Sequence, residues 1–149
     1  MAFVVLRHAR SIAPSMRISV IAVGRLRRPY HDDVEHYRKL LAGRARVEIV
    51  EVREDEKVPP RIPERAYKVL LASDGRTLDS VQFSEWLEER RRNGREVCFV
   101  IGGPKGLELD ADMRLSLGPM TLPHQLARVV LLEQLYRAHK ILAREPYHY

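Results

Sequence analysis

The sequence predicts a single-domain α/β fold built on a parallel sheet, and three observations predict it. Apolar, β-branched runs alternate along the chain with segments of helical period, the order that packs helices against a sheet. The run at residues 96–101 is apolar on both faces rather than alternating, as a central strand in a parallel sheet must be. The chain has 149 residues, 45% of them apolar, which suits one core and one domain.

Residues 1–15 form a leader expected to lie outside the fold. Its apolar run, Ala2 to Leu6, precedes the basic Arg7, His8 and Arg10, the reverse of a secretory signal. Met16 opens the first strand, residues 17–24, which Gly24 closes. A basic turn follows, with Arg25, Arg27 and Arg28. It reads equally as a solvated loop or as a contact for RNA phosphates. Pro29 opens a helix to about residue 41, ended by Gly43, with Tyr30, Val34, Tyr37, Leu40 and Leu41 as its apolar stripe. His31 and His36 fall on its wet faces.

Residues 46–52 alternate apolar and polar, a strand with one wet face. Residues 53–64 are charged and carry Pro59, Pro60 and Pro63. They read as an exposed connection with at most one helical turn near 64–66. Residues 67–72 form a third strand, and Ser73, Asp74, Gly75 and Arg76 a turn. Asp79 or Ser80 caps a helix running to about residue 93, with Gly94 at its end and Val81, Phe83, Trp86 and Leu87 on its buried side. Arg90, Arg91 and Arg92 complement the dipole at its C-terminus. The fourth strand, 96–101, delivers Gly102-Gly103-Pro104-Lys105-Gly106. One short helix is expected in 107–113 and a short fifth strand at 114–117.

Gly118-Pro119 breaks the chain before a long helix, residues 123–143, which Pro123 can open and Pro146 must stop. Glu133, Arg137, Lys140 and Arg144 share one narrow face of it, and almost everything else is apolar. Such a helix is buried on most sides, and one flank is expected against a second subunit. Arg128 sits opposite the charged face among Leu131, Leu132, Leu135 and Leu142. A guanidinium there requires a partner. Two readings stand: a cation aimed at a substrate, or a buried salt bridge.

Net charge is +6 and the isoelectric point is near 9.8. That balance favours anionic partners, nucleic acid foremost. The lone Cys98 excludes intrachain disulfides and multi-cysteine zinc sites, and its apolar setting makes it an inert core thiol. No stretch is long enough to cross a membrane. The glycine pair after the fourth strand follows neither the dinucleotide pattern nor the P-loop pattern. Bare glycines at the carboxyl ends of parallel strands still let a ligand lie against main chain, and two such breaks, at 102–106 and 118–119, tell more than one.

Several motifs carry a family resemblance. Val-Ile-Gly-Gly-Pro-Lys-Gly-Leu, residues 100–107, resembles the ribosomal large-subunit pseudouridine N3-methyltransferases, the RlmH family of the SPOUT superfamily. So do the long run at residues 120–138, from Met120-Thr121-Leu122-Pro123-His124 onward, and the terminal Pro146-Tyr147-His148. Residues 21–24 and 67–76 agree, and the likeness spans 16–149. Residues 53–65 are shorter than in the family.

The resemblance implies an α/β sheet whose C-terminal part forms a trefoil knot that binds S-adenosylmethionine. By motif position the cofactor meets Leu71, Gly102, Leu117, Gly118, Pro119, Met120, Thr121 and Leu122. The implied reaction methylates N3 of a pseudouridine in large-subunit (23S) rRNA, in the cytoplasm, by a homodimer, without metal or membrane. The imide N3 must lose its proton around the time of attack. His124 could accept that proton or hold the base, Arg128 could stabilise developing charge, and Tyr147 and His148 could close over the target. The alternative function is a basic ribosome-binding or RNA-binding module that kept the fold and lost catalysis.

Overall fold

The computed structural model describes residues 16–104 and 106–147. The expectations for the leader, residues 1–15, and for His148 lie outside them. Five strands form one all-parallel sheet in the order β2-β1-β4-β3-β5. They are β1 (Arg17–Val23), β2 (Arg46–Val52), β3 (Tyr67–Thr77), β4 (Val97–Ile101) and β5 (Met113–Ser116). The helices are α1 (Tyr30–Ala42), α2 (Ser80–Asn93) and α3 (His124–Leu142). The continuous apolar run is the central strand, and every β4 residue is buried.

The two faces of the sheet are covered differently. Val97, Phe99 and Ile101 of β4 join Val20, Val69 and the helices in the larger core. There α3 packs against both α1 and α2. Its Leu131, Leu132 and Leu135 are fully buried. Each such side chain is worth about 1.5–3 kcal/mol in area removed from water. Cys98 and Val100 point to the other face, where loops rather than helices supply the cover, with Val58, Ile62, Leu107 and Leu109. Burial pushes the Cys98 thiol up to about 12, so it stays a neutral core group.

Helix boundaries follow the local signals. Asp79 caps α2 and closes a reciprocal capping box with Gln82. Pro29 precedes α1 and Pro123 precedes α3. Arg91 and Arg92 at the end of α2 ion-pair with Glu88.

Four expectations are corrected. The turn at 73–76 is an excursion within β3: Leu71 and Arg76 both lie opposite Leu115, and Thr77 continues the pairing. An ion pair between Asp74 and Arg114, at 2.8 Å, ties the excursion to β5. The connection 53–64 is not simply exposed. Val58 is fully buried between two short 3₁₀ turns, Asp55–Lys57 and Pro59–Arg61, and these come in addition to the turn expected near 64–66, which the Ala66 amide closes by donating to the Pro63 carbonyl at 3.1 Å. No helix forms at 107–112, because Leu107, Leu109 and Ala111 are spent as apolar cover for the second core. Finally, Val81 is exposed, and Ser84 takes a buried place on α2 by donating to the Val81 carbonyl.

Candidate functional site

A cavity of about 560 Å³ opens at the carboxyl ends of β3, β4 and β5. Parallel sheets place ligands there because strand ends and loops leave main-chain groups uncovered. The volume suits a cofactor-sized ligand.

Two main-chain segments form its rim. The first is the loop after β4, with Gly102, Gly103, Pro104 and Gly106. The Gly103 amide donates to Asp55 Oδ1 at 3.2 Å, so the proline-rich connection holds this loop from behind. A Cβ on Gly102 would stand 2.8 Å from the Leu107 Cβ. The glycine therefore lets the loop fold back onto itself, and the obstacle to a side chain is Leu107 rather than the ligand space. The second segment follows β5. Gly118 has φ +139°, a conformation other residues rarely adopt, and a Cβ there would meet nothing within 4 Å. The Ser116 hydroxyl donates to the Gly118 carbonyl at 2.7 Å and accepts from its amide at 3.1 Å, which fixes the kink.

The cavity brings together most of the expected cofactor positions. Leu71, Gly102, Leu117 and Gly118 line it, as do Met120, Thr121 and Leu122. Pro119 belongs to the same kinked segment but is not part of the lining. His124, the first residue of α3, also faces the cavity. Polar groups that sequence reasoning missed complete the wall: Ser73, Asp74, Glu108 and Arg114. The Arg114 guanidinium beside Asp74 holds its carboxyl below the usual carboxylate range. The Asp-Gly-Arg string at 74–76 marked the place, but nothing local announces a partner forty residues away.

Arg128 turns away from the cavity. It is 2% exposed, and its Nη1 donates to Glu51 Oε2 at 2.6 Å while Nη2 donates to the Gly24 carbonyl at 2.5 Å. The structure thus supplies anionic and carbonyl partners at both terminal nitrogens, while the buried Nε has none among the described residues.

Tyr147 lies on α3. The Arg137 guanidinium stands 4.0 Å from its ring centroid, and the Tyr136 ring is 5.7 Å away. Burial, together with Glu133 nearby, raises the Tyr147 hydroxyl above its ordinary pKa. Arg137 also ion-pairs with Glu133 at 2.7 Å, so the charged face of α3 is largely covered by its own pairs. Among the described residues, no group of three or more His, Cys, Asp or Glu is placed to hold a metal ion, and no helix is long and apolar enough to cross a membrane.

Residues 16–148 match the family described as "Predicted SPOUT methyltransferase". A Gemmatimonas aurantiaca protein named ribosomal RNA large subunit methyltransferase H is 40% identical, over 89% of this chain and 99% of its own. A Synechococcus protein of the same name is 41% identical, over 89% and 96% of the two chains. A Listeria monocytogenes protein, again of that name, is 38% identical over 89% and 99%.

Proposed function

This chain belongs to the SPOUT methyltransferase family, and from that premise we propose that it methylates N3 of a pseudouridine in large-subunit rRNA, using S-adenosylmethionine. The observation that carries this reading is the cavity itself. Two glycine-kinked crossings and His124 meet around one space at the carboxyl ends of three parallel strands. The names of the relatives support the large-subunit substrate. The motifs at 100–107 and 120–138 support the pseudouridine target.

The residues present fit the cofactor. The open space beside the Gly118 Cα allows close approach to main chain, and Leu71, Leu117 and Leu122 offer apolar surface for a flat base. Asp74 and Glu108 offer acceptors for hydroxyl or ammonium groups. When bound, S-adenosylmethionine supplies an electrophilic methyl on a sulfonium, so no metal is needed. His124 is the ionisable side chain at the helix start facing the same space, and we assign it to accept the N3 proton or to orient the base. Arg128 acts through the main chain it clamps. Tyr147 and His148 belong to the tail, and we assign them to cover of the target base when two copies associate. A homodimer is supported by Met120, which is 80% exposed on the cavity rim. The reading of a catalytically silent binding module is less favoured, because it leaves the cavity without a purpose.

Nucleoside mass spectrometry of rRNA tests the assignment. A strain lacking the gene should lose one methyl from a large-subunit pseudouridine, and restoring the gene should return it. An unchanged methylpseudouridine content would overturn the proposal. Sedimentation tests the dimer, and a monomer at every concentration would remove that part.

A further inference from the structure

The turn after β1 is gripped by its main chain and leaves its cations to solvent. The Gly24 amide donates to the Val52 carbonyl, and the Leu26 amide to Glu51 Oε2, at 2.8 and 2.7 Å. The Arg27 amide donates to Gln125 Oε1 at 2.8 Å. All four carbonyls from Gly24 to Arg27 accept as well. Their donors are Arg128 Nη2, Gln125 Nε2, His31 Nε2 and the Tyr30 amide. A turn meant only for solvent would leave such groups to water. Here side chains from β2, α1 and α3 fix five of these seven groups, and main chain of β2 and α1 fixes the other two.

The side chains of the same turn are treated in the opposite way. Arg25, Arg27 and Arg28 are exposed, and no ion pair engages them among the described residues. Arg38, Arg44, Arg91 and Arg114 each have a carboxylate. The Glu51 carboxylate is already shared between Arg128 and the Leu26 amide. Three like charges are thus held close together on a stiff backbone, an arrangement that an anion relieves. The place matters too. His124 faces the cavity, and the next residue, Gln125, grips the turn.

We infer that residues 25–28 form a preorganised claw for backbone phosphates of the rRNA flanking the target base, held in register with the cavity by Gln125, Arg128 and Glu51. This rests on the rRNA methyltransferase reading above. The ligand chemistry is a run of phosphodiesters, and the fixed turn spends less ordering entropy on binding than a loose one would.

The test measures binding to large ribosomal subunits from a strain lacking the gene, across a salt series, alongside methyl-transfer kinetics. Removing three cations as R25A/R27A/R28A should weaken binding on the order of 50-fold at ~0.15 M salt, and should lower the log–log salt slope by about 2. The KM for subunits should rise, with S-adenosylmethionine affinity unmoved. R17A/R46A/R65A, an equal loss of exposed charge at the amino ends of β1, β2 and β3, should bind within about twofold of the parent. Q125A keeps all three cations. It should bind roughly fivefold more weakly with an unchanged salt slope, which separates placement from charge.

Parent-like binding by the first variant, or equal weakening by the second, overturns the claw. Parent-like binding by Q125A overturns the role of the grip. A parent protein that binds subunits and transfers no methyl sinks the enzymatic reading while the claw stands. One that methylates, with the KM of the first variant unmoved, sinks the claw alone.

Discussion

Two structures flank the first turn of α3, and they are made by opposite means. On one side the cavity rim is nearly bare main chain, shaped by Gly102 and Gly118 and by Met120, Thr121 and Leu122. On the other side the turn at 24–27 is main chain held by long polar side chains, Glu51, Gln125 and Arg128. A rim that must admit a ligand cannot be filled, so it is fixed by backbone conformation. A turn that must present side chains can be gripped from behind, so it is fixed by charge and hydrogen bonds. Different substitutions should therefore break the two.

The largest effect is expected at the grip. Arg128→Ala removes the donor to the part-buried Gly24 carbonyl and the partner of Glu51. Glu51 keeps the Leu26 amide and some access to water, which limits the loss. A cost of about 2–3 kcal/mol follows, measurable by urea unfolding. Unchanged stability with methyl transfer abolished would instead mean that Arg128 serves the substrate directly.

Gly118→Val should do the converse. A branched side chain at φ +139° is strained, and its atoms would occupy the open space on the cavity side. S-adenosylmethionine affinity should fall by about 2 kcal/mol, roughly 30-fold, by calorimetry. Subunit binding through the turn should change little. Loss of both activities together would show that rim and grip are one cooperative unit.

The same contrast explains what could be read from the sequence. The central strand, the helix boundaries and the two glycine breaks are local signals, and seven of the eight expected cofactor positions line one cavity. The grip was half legible. Arg128 on an apolar helix face announced that it needed a partner, but Glu51 lies 77 residues away and Gly24 lies 104 away. No periodicity joins such positions. The loop-covered face misled for a related reason. Val58 sits among charges and prolines that read as solvent-exposed, and only the second core shows what it covers. Leu107, Leu109 and Ala111 alternate with Glu108, Asp110 and Asp112, the period of extended chain, so the short helix was a misreading of a legible signal; only their seat over Cys98 and Val100 was beyond local pattern.

A smaller effect separates two roles of rim glycines. Gly102→Ala pushes a methyl against Leu107, not into the ligand space. It should cost about 1 kcal/mol of stability, and Leu107→Ala in the same chain should not recover it, because alanine keeps the Cβ that the new methyl meets. Cofactor affinity should fall only as far as the loop shifts. A Gly102→Ala protein with full stability and no cofactor binding would return this glycine to the ligand's side of the wall.

The far end of α3 supplies a counterpart of the grip whose cations, unlike Arg128, are only part-buried, and it should matter least. There Arg44 and Lys140 both bond Glu145, at 2.8 and 3.0 Å. The Arg44 hydrogen bonds, then that from Lys140, bring the Glu145 carboxyl down from 4.5 to about 2. A depressed carboxylate pKa stabilises the fold fully above the unfolded value, and that stabilisation disappears as pH falls through the folded one. The contribution is therefore present near neutrality and drains away between about pH 4.5 and pH 2. Glu145→Gln should lower Tm slightly at neutral pH, and the gap from the parent should close as pH drops through that window. Because water screens this cluster, the gap should also shrink in high salt, whereas the loss caused by Arg128→Ala should not. An equal salt response at the two ends would mean that burial does not distinguish them, and that the turn is held no more firmly than a surface ion pair can hold it.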